Sequence, residues 1–230
     1  MIKDIIILGG KGDGLGVASI IETLIDQKEE KLNILGFLND GSEETVYGYP
    51  VLGKLKETQS FLKHDNTFFI SAILKVKQSY ARSSLIESLK IPLSRFLTII
   101  HPSATIARSA KIGLGSVISP HVNIMPNVTI GNHCSIRASA NIGHDCVLEN
   151  YCYMGPNSTI AGGSTMKIGS HLGPNSCMLE FKTMGPYSVA GICSSVIKDV
   201  NEFEVVFGCP ARKIGKAYKK SIQWTEHSRP

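Results

Sequence analysis

No stretch of this 230-residue chain approaches the roughly 18 consecutive apolar residues that a membrane span requires. The amino terminus, Met1-Ile2-Lys3-Asp4, runs directly into a short apolar segment without a cleavage-site pattern, so a soluble, cytoplasmic protein with no membrane insertion is expected. The six cysteines form no CxxC pair and no Cys/His spacing suited to zinc, which argues against a disulfide framework and against a metal site. Arg212, Lys213, Lys216, Lys219, Lys220 and Arg229 crowd the carboxy terminus against a single acid, Glu226, but the segment carries no known nucleic-acid motif. That leaves either a solvated terminal segment or a contact for a polyphosphate ligand. What is present, 43% apolar residues at a net charge of +5, suffices for one sizeable core or two modest ones.

An internal period decides the fold class. From Ile100 an aliphatic residue recurs every six positions, through Ile106, Ile112, Ile118, Ile124, Ile130, Ile136, Ile142, Leu148, Met154, Ile160, Met166, Leu172, Met178 and Met184 to Val196, with Ala190 the one small exception. Four residues after each stands a small or β-branched residue, such as Ser116, Val122, Cys134, Ala140, Cys146, Cys152 or Ser176, and Lys182 alone breaks this second column. Neither the 3.6-residue helix period nor the two-residue strand period yields a strict spacing of six. A triangular prism does: three hexads make a turn of about 18 residues, aliphatic side chains stack inside, and short parallel strands of successive coils satisfy each other's backbone groups. Cys134 and Cys152 then occupy equivalent inward positions in successive coils. Between Ser164 and Gly185 the pattern weakens, because Ile168-Gly169 offers a register shifted by two and Lys182 takes an inward slot; a loop or irregular coil is expected there.

Residues 1–97 read differently. Ile5 to Leu8 suits a buried parallel strand, followed by Gly9-Gly10-Lys11-Gly12-Asp13-Gly14-Leu15-Gly16 and a helical pattern from Val17 to Gln27. Lys31 to Leu38 gives a second strand ending in Asn39-Asp40, Thr67 to Ile73 a third, and Gln78 to Lys90 a helix. This alternation predicts a small Rossmann-like α/β domain. A glycine-rich first turn lets backbone N–H groups approach phosphate oxygens, yet the spacing does not fit GxGxxG. A dinucleotide, a nucleotide-linked ligand and a purely structural turn all stay open from the residues alone. The expected organisation is thus a Rossmann-like domain over 1–97, an all-β left-handed parallel β-helix over 98–209 and a basic tail over 210–230.

The turn Gly9 to Gly14, the run Gly36-Phe37-Leu38-Asn39-Asp40, the segment Gly48-Tyr49-Pro50-Val51-Leu52-Gly53, the junction His101-Pro102-Ser103-Ala104, the triplet Gly143-His144-Asp145 and the terminal Gly208-Cys209-Pro210-Ala211 occur in this order. Together they resemble the PglD/NeuD family of bacterial sugar acyltransferases over nearly the whole chain. The resemblance implies a homotrimer, acetyl-CoA in the groove between neighbouring prisms, and a nucleotide-linked 4-amino-deoxysugar held by the amino-terminal domain. It implies His144 as general base and Asp145 as the acid that raises its basicity. Lys11, Gly12, Asp13, Asn39 and Asp40 match sugar-nucleotide contacts, and Tyr153, Gly162 and Gly191 match cofactor contacts, Gly162 through its backbone. Asp13 and Tyr153 stand where the family often has histidine.

The chemistry agrees with that assignment. An amine must lose a proton as it attacks a thioester carbonyl, and histidine is the side chain suited to take it near neutrality. In the hexad of Ile142, His144 and Asp145 should lie at a prism corner. By position alone His144 is either this base or one of several turn histidines, since His121, His133 and His171 also lie within the repeats, while His101 is read as capping the mouth of the helix. Two other readings stay open: an O-acetyltransferase of a sialic-acid-like sugar, and a non-catalytic sugar-nucleotide-binding β-helix.

Overall fold

The structure, a computed structural model, describes residues 2–27, 31–73 and 78–217. They fall into two compact units, residues 2–73 with 81–97, and residues 98–217 with 78–80.

In the first unit β1 (Lys3–Leu8) pairs in parallel with β2 (Leu32–Leu38) on one side and β5 (Thr67–Ser71) on the other. Ile5, Ile6, Ile7 and Leu8 are fully buried, as befits the central strand of a sheet covered on both faces. The segment read only as a motif, Gly48 to Gly53, holds β4 (Tyr49–Gly53), which runs parallel to β2, and just before it β3 (Thr45–Val46) is antiparallel to β4. The order is β3-β4-β2-β1-β5. Helix α1 (Asp13–Asp26) begins inside the glycine run rather than at Val17. Gly12, at φ 87°, makes the turn, and Gly14 can sit within the helix because a Cβ there would fall 3.0 Å from the Phe37 ring, which lets α1 lie close on β2. Two further helices follow, α2 (Thr58–Phe61) and α3 (Ser79–Ser88), the latter shorter than the expected 78–90.

The second unit is a left-handed parallel β-helix with a strand pair in every hexad. The first face stacks strands 105–106, 123–124, 141–142, 159–160, 177–178 and 195–196; the second stacks 111–112, 129–130, 147–148, 165–166 and 183–184; the third runs from 99–100 to 189–190. Each residue pairs with the one 18 positions on, as Ile124 with Ile142 and Ile142 with Ile160. The aliphatic column forms one continuous core from Ile118 to Val206. The second column is buried too, and its polar members do more than leave room. Ser116 Oγ donates to the Gly131 carbonyl at 2.9 Å, Ser164 Oγ to Leu179 at 3.0 Å and Cys134 Sγ to Glu149 at 3.1 Å, so turn carbonyls facing the interior find donors. Corners from the second coil onward carry a left-handed residue three after the aliphatic one, among them Asn127 (φ 63°), His133 (56°), Asp145 (58°), Gly163 (68°) and Phe181 (56°). Asn and Gly adopt this region readily, but histidine, tyrosine and phenylalanine are held there by the ladders on either side.

The expected irregularity between Ser164 and Gly185 does not occur. Strands 165–166, 171–172, 177–178 and 183–184 keep the 18-residue register without interruption. Ile168-Gly169 is a turn, with Gly169 at φ 64°, and half-buried Lys182 keeps its backbone in the ladder by accepting from Thr165 N at 2.9 Å. Backbone pairing above and below fixes the coil, so one long side chain does not break it. At the carboxyl end the spacing shortens to 16, with Val189 opposite Val205, and residues 212–216 return antiparallel to 204–207. Residues 218–230, most of the expected basic tail, lie outside the described residues. No described helix is long and apolar enough to cross a membrane.

Candidate active site

The turn between strands 141–142 and 147–148 carries His144 and Asp145 on the edge between the first and second faces. Asp145 adopts the left-handed conformation, and its side chain comes alongside its neighbour: Oδ2 lies 2.7 Å from His144 Nδ1. Its other oxygen accepts from Asn127 Nδ2, one coil away, at 3.0 Å. Hydrogen bonds from the His144 ring and then from Asn127 hold the Asp145 carboxyl below the usual carboxylate range. An ionised carboxylate only accepts, so Nδ1 carries the hydrogen and Nε2 presents its lone pair. The two side chains are 62% and 55% exposed, so this lone pair is open to a ligand.

Gly162 occupies the same place one coil further on. A Cβ there would fall 2.7 Å from His144 Nε2 and 2.8 Å from Cε1, so the imidazole lies directly against the glycine backbone. A Cβ on Gly143 would in turn fall 2.6 Å from the Gly162 nitrogen. At the neighbouring corner, between the second and third faces, the corresponding N–H groups are occupied by side chains: Leu114 N donates to Asn132 Oδ1, Asn132 N to Asn150 Oδ1 and Ile168 N to Glu149 Oε2, at 2.8, 2.8 and 2.9 Å. The Gly162 N–H makes no such bond among the described residues. A proton-accepting nitrogen and an open N–H donor therefore stand side by side, which is what attack on a carbonyl requires.

Tyr153 and Gly191 are not brought to this corner. Tyr153 belongs to the third face, where its ring stacks on His171 at 4.2 Å, and Gly191 follows the strand 189–190 of that same face. The other repeat histidines are turn and wall residues: His133 is buried and stacked on Tyr151 at 5.0 Å, and His121 is an exposed corner residue at φ 58°. His101 accepts from Ser103 N at 3.1 Å at the start of the helix. Cys134, Cys146 and Cys152 are buried and free, and burial pushes the thiols of Cys146 and Cys152 up.

In the first unit, a cleft of about 110 Å³ at the carboxyl ends of β1, β2 and β5 is lined by Gly9, Gly10, Lys11, Asp13, Asn39, Asp40, Leu55, Ala72 and Ile73. Four of the five residues matched to sugar-nucleotide contacts thus share one wall, and the fifth, Gly12, is the turn that precedes α1. Gly10 is glycine because a Cβ would fall 2.5 Å from Asn39 Nδ2. Asp40 Oδ1 accepts from Leu55 N at 2.9 Å, which ties the end of β2 to the segment after β4. Sequence reasoning missed Glu43. Its carboxylate accepts from Asn39 Nδ2 at 3.0 Å and lies 3.8 Å from Lys11 Nζ, joining two residues that are 28 positions apart. No spacing rule predicts such a contact, because the loop that delivers Glu43 has no repeat.

Family models match each unit. Residues 4–83 match the PglD N-terminal domain, and residues 127–162 match the bacterial transferase hexapeptide model of six repeats. One model thus matches within the amino-terminal unit and the other within the repeats. A search of the curated proteins finds no match. Among solved structures, the chain is similar to PerB from Caulobacter crescentus in complex with CoA and GDP-perosamine, at 25% identity and a TM-score of 0.77, covering 94% of this chain and 99% of that one. It is also similar in fold to the acetyltransferase domain of PglB from Neisseria gonorrhoeae FA1090 in complex with acetyl coenzyme A, at 24% identity and a TM-score of 0.81, covering 93% and 100%. WeeI from Acinetobacter baumannii AYE gives 24% and 0.76, covering 92% and 100%. The fold is therefore shared with these structures along nearly the full length of the chain.

Proposed function

We propose that the protein is an acetyl-CoA-dependent N-acyltransferase acting on the amine of a nucleotide-linked 4-amino-deoxysugar, with His144 as general base. The observation that carries this reading is the pairing at the first corner of His144 Nε2, freed by the Nδ1 contact to Asp145, with the open N–H of Gly162. The ligands named for PerB, CoA and GDP-perosamine, and for the PglB domain, acetyl coenzyme A, belong to the same chemistry.

In this mechanism the sugar amine attacks the thioester carbonyl carbon while its proton passes to His144 Nε2. Asp145 holds the ring in the required tautomer and stabilises the imidazolium. Charge developing on the carbonyl oxygen is met by a backbone donor, for which Gly162 N–H is the nearest to the ring. The C–S bond then breaks, the imidazolium returns the proton to the leaving sulfur, and an amide and free CoA thiol result. No acyl-enzyme is needed, because direct transfer through a ternary complex suffices, and the repeat cysteines Cys134, Cys146 and Cys152 are buried in the core. Lys11, Gly12, Asp13, Asn39 and Asp40 hold the nucleotide-linked sugar, with Glu43 yielding Lys11 to a phosphate. Tyr153 and Gly191 can contact a donor bound at the His144 corner only from a neighbouring copy, so the reading includes a homotrimer with shared sites.

The test is His144→Ala in a thiol-release assay with acetyl-CoA and a panel of nucleotide-linked amino sugars, the product being followed by mass. A loss of about 10²–10⁴ in kcat is expected, with native mass unchanged. A variant that keeps wild-type turnover sinks the assignment of the base.

A further inference from the structure

The corner position three after the aliphatic residue, above and below His144-Asp145, is filled, coil by coil, by Ser109, Asn127, Asp145, Gly163, Phe181 and Asp199. All but one are polar or glycine; Phe181 is apolar and 74% exposed. Its ring does not point idly into solvent. A Cβ on Gly163 would fall 2.5 Å from the Phe181 ring, so the ring lies on the Gly163 backbone and fills the space that a side chain there would take. Phe181 N donates to Gly162 O at 3.1 Å, which fixes the ring's coil directly against the coil of Gly162. The ring therefore stands over Gly163, the residue next to Gly162, against whose backbone the His144 imidazole lies.

The second corner supplies a control. There Tyr187 lies on Gly169 in the same way, a Cβ falling 2.4 Å from its ring, but Tyr187 is half-buried and stacked on Phe203 at 5.2 Å. Packing accounts for that pair. Phe181 makes no ring contact among the described residues, and its exposed neighbours Leu179 and Ile197 extend the apolar surface beside it.

The geometry points to Phe181 as the wall that limits the length of the acyl group transferred at this corner, an inference that rests on the acyltransferase reading above. A thioester carbonyl held near Gly162 N–H has two substituents. Sulfur carries the rest of CoA and needs an open groove; the acyl carbon is the substituent that a wall can enclose. An apolar ring suits a methyl group and obstructs a longer chain, and each methylene a pocket gains or loses changes selectivity by about 10- to 200-fold.

The experiment compares acetyl-, propionyl- and butyryl-CoA as donors for the wild type, Phe181→Ala and Phe181→Leu, with native mass recorded for each. The butyryl-to-acetyl ratio of kcat/KM should rise at least about tenfold in Phe181→Ala and by less in Phe181→Leu, with the KM for the amino sugar and the native mass unchanged. An unchanged ratio in a protein that does transfer acetyl overturns the inference alone. So does a ratio that moves only with a change in native mass, since Phe181 is then a subunit contact. A wild type that consumes no acyl-CoA overturns the acyltransferase reading and this inference together.

Discussion

The first and second corners of the prism are built from one hexad rule and end in opposite states. At the second, Asn132, Asn150 and Glu149 side chains close the turn N–H groups of the coil before or after them, and His133 is packed on Tyr151. At the first, Gly143 and Gly162 stand where those side chains would be, the Gly162 N–H is open, and His144 is held outward by Asp145. The difference teaches that a repeat opens a corner to a ligand by removing side chains as much as by adding them. Satisfied turns stabilise the coil; an unsatisfied one is available to a ligand.

The largest test of that contrast is Gly162→Ala. Its Cβ would press on the imidazole at 2.7 Å, displacing the ring while leaving a turn that alanine can otherwise adopt. Activity in the thiol-release assay should fall about 100-fold with little change in Tm, since a displacement of about 1 Å costs that much in rate. Asp145→Asn comes next: its amide can donate to Nδ1 and favour the wrong tautomer, so kcat should drop by about tenfold or more while the KM for acetyl-CoA holds. At the second corner the expectation reverses. Asn150→Ala leaves the Asn132 N–H to water and should lower unfolding stability by about 0.5–1.5 kcal/mol in a denaturant titration, with turnover unchanged. If Asn150→Ala cost activity instead, the division of labour between the corners would be wrong.

The smallest effect is electrostatic. Because the Asp145 pKa is depressed in the folded protein, its favourable contribution is present above the unfolded carboxyl value of about 3.9 and is lost only as pH falls through the lower folded value. Asn127→Ala removes one of its two partners, so an NMR titration of the carboxyl should show the midpoint moving up toward the ordinary range. A midpoint that stays in place would mean that the His144 contact alone sets it.

The coil and the His144 corner were legible because both follow from a period. Once Ile142 is an inward residue, His144 and Asp145 must lie at the turn, and Gly162 must lie one coil on. The expected irregularity between Ser164 and Gly185 weighed the competing Ile168-Gly169 spacing and the Lys182 side chain, whereas the register is held by backbone pairs on both sides. In the first unit β1, β2 and β5 were recognisable as apolar runs, but β3 and β4 were not, since Thr45–Val46 and Tyr49–Gly53 are short and the second carries Pro50 and ends at Gly53. The meeting of Lys11, Asn39 and Glu43 was out of reach for the same reason, being set by loops without period.

By itself the sequence determined the six-residue repeat, the stacked interior it implies, and the identity of the histidine and aspartate at one corner, because a regular backbone converts spacing directly into position. Only the tertiary structure decided that Nδ1 faces Asp145, that the Gly162 N–H is left open beside Nε2, and that Phe181 leans on Gly163. Those outcomes depend on which side chains meet across coils, a matter of contact between residues 18 positions apart that no local propensity records.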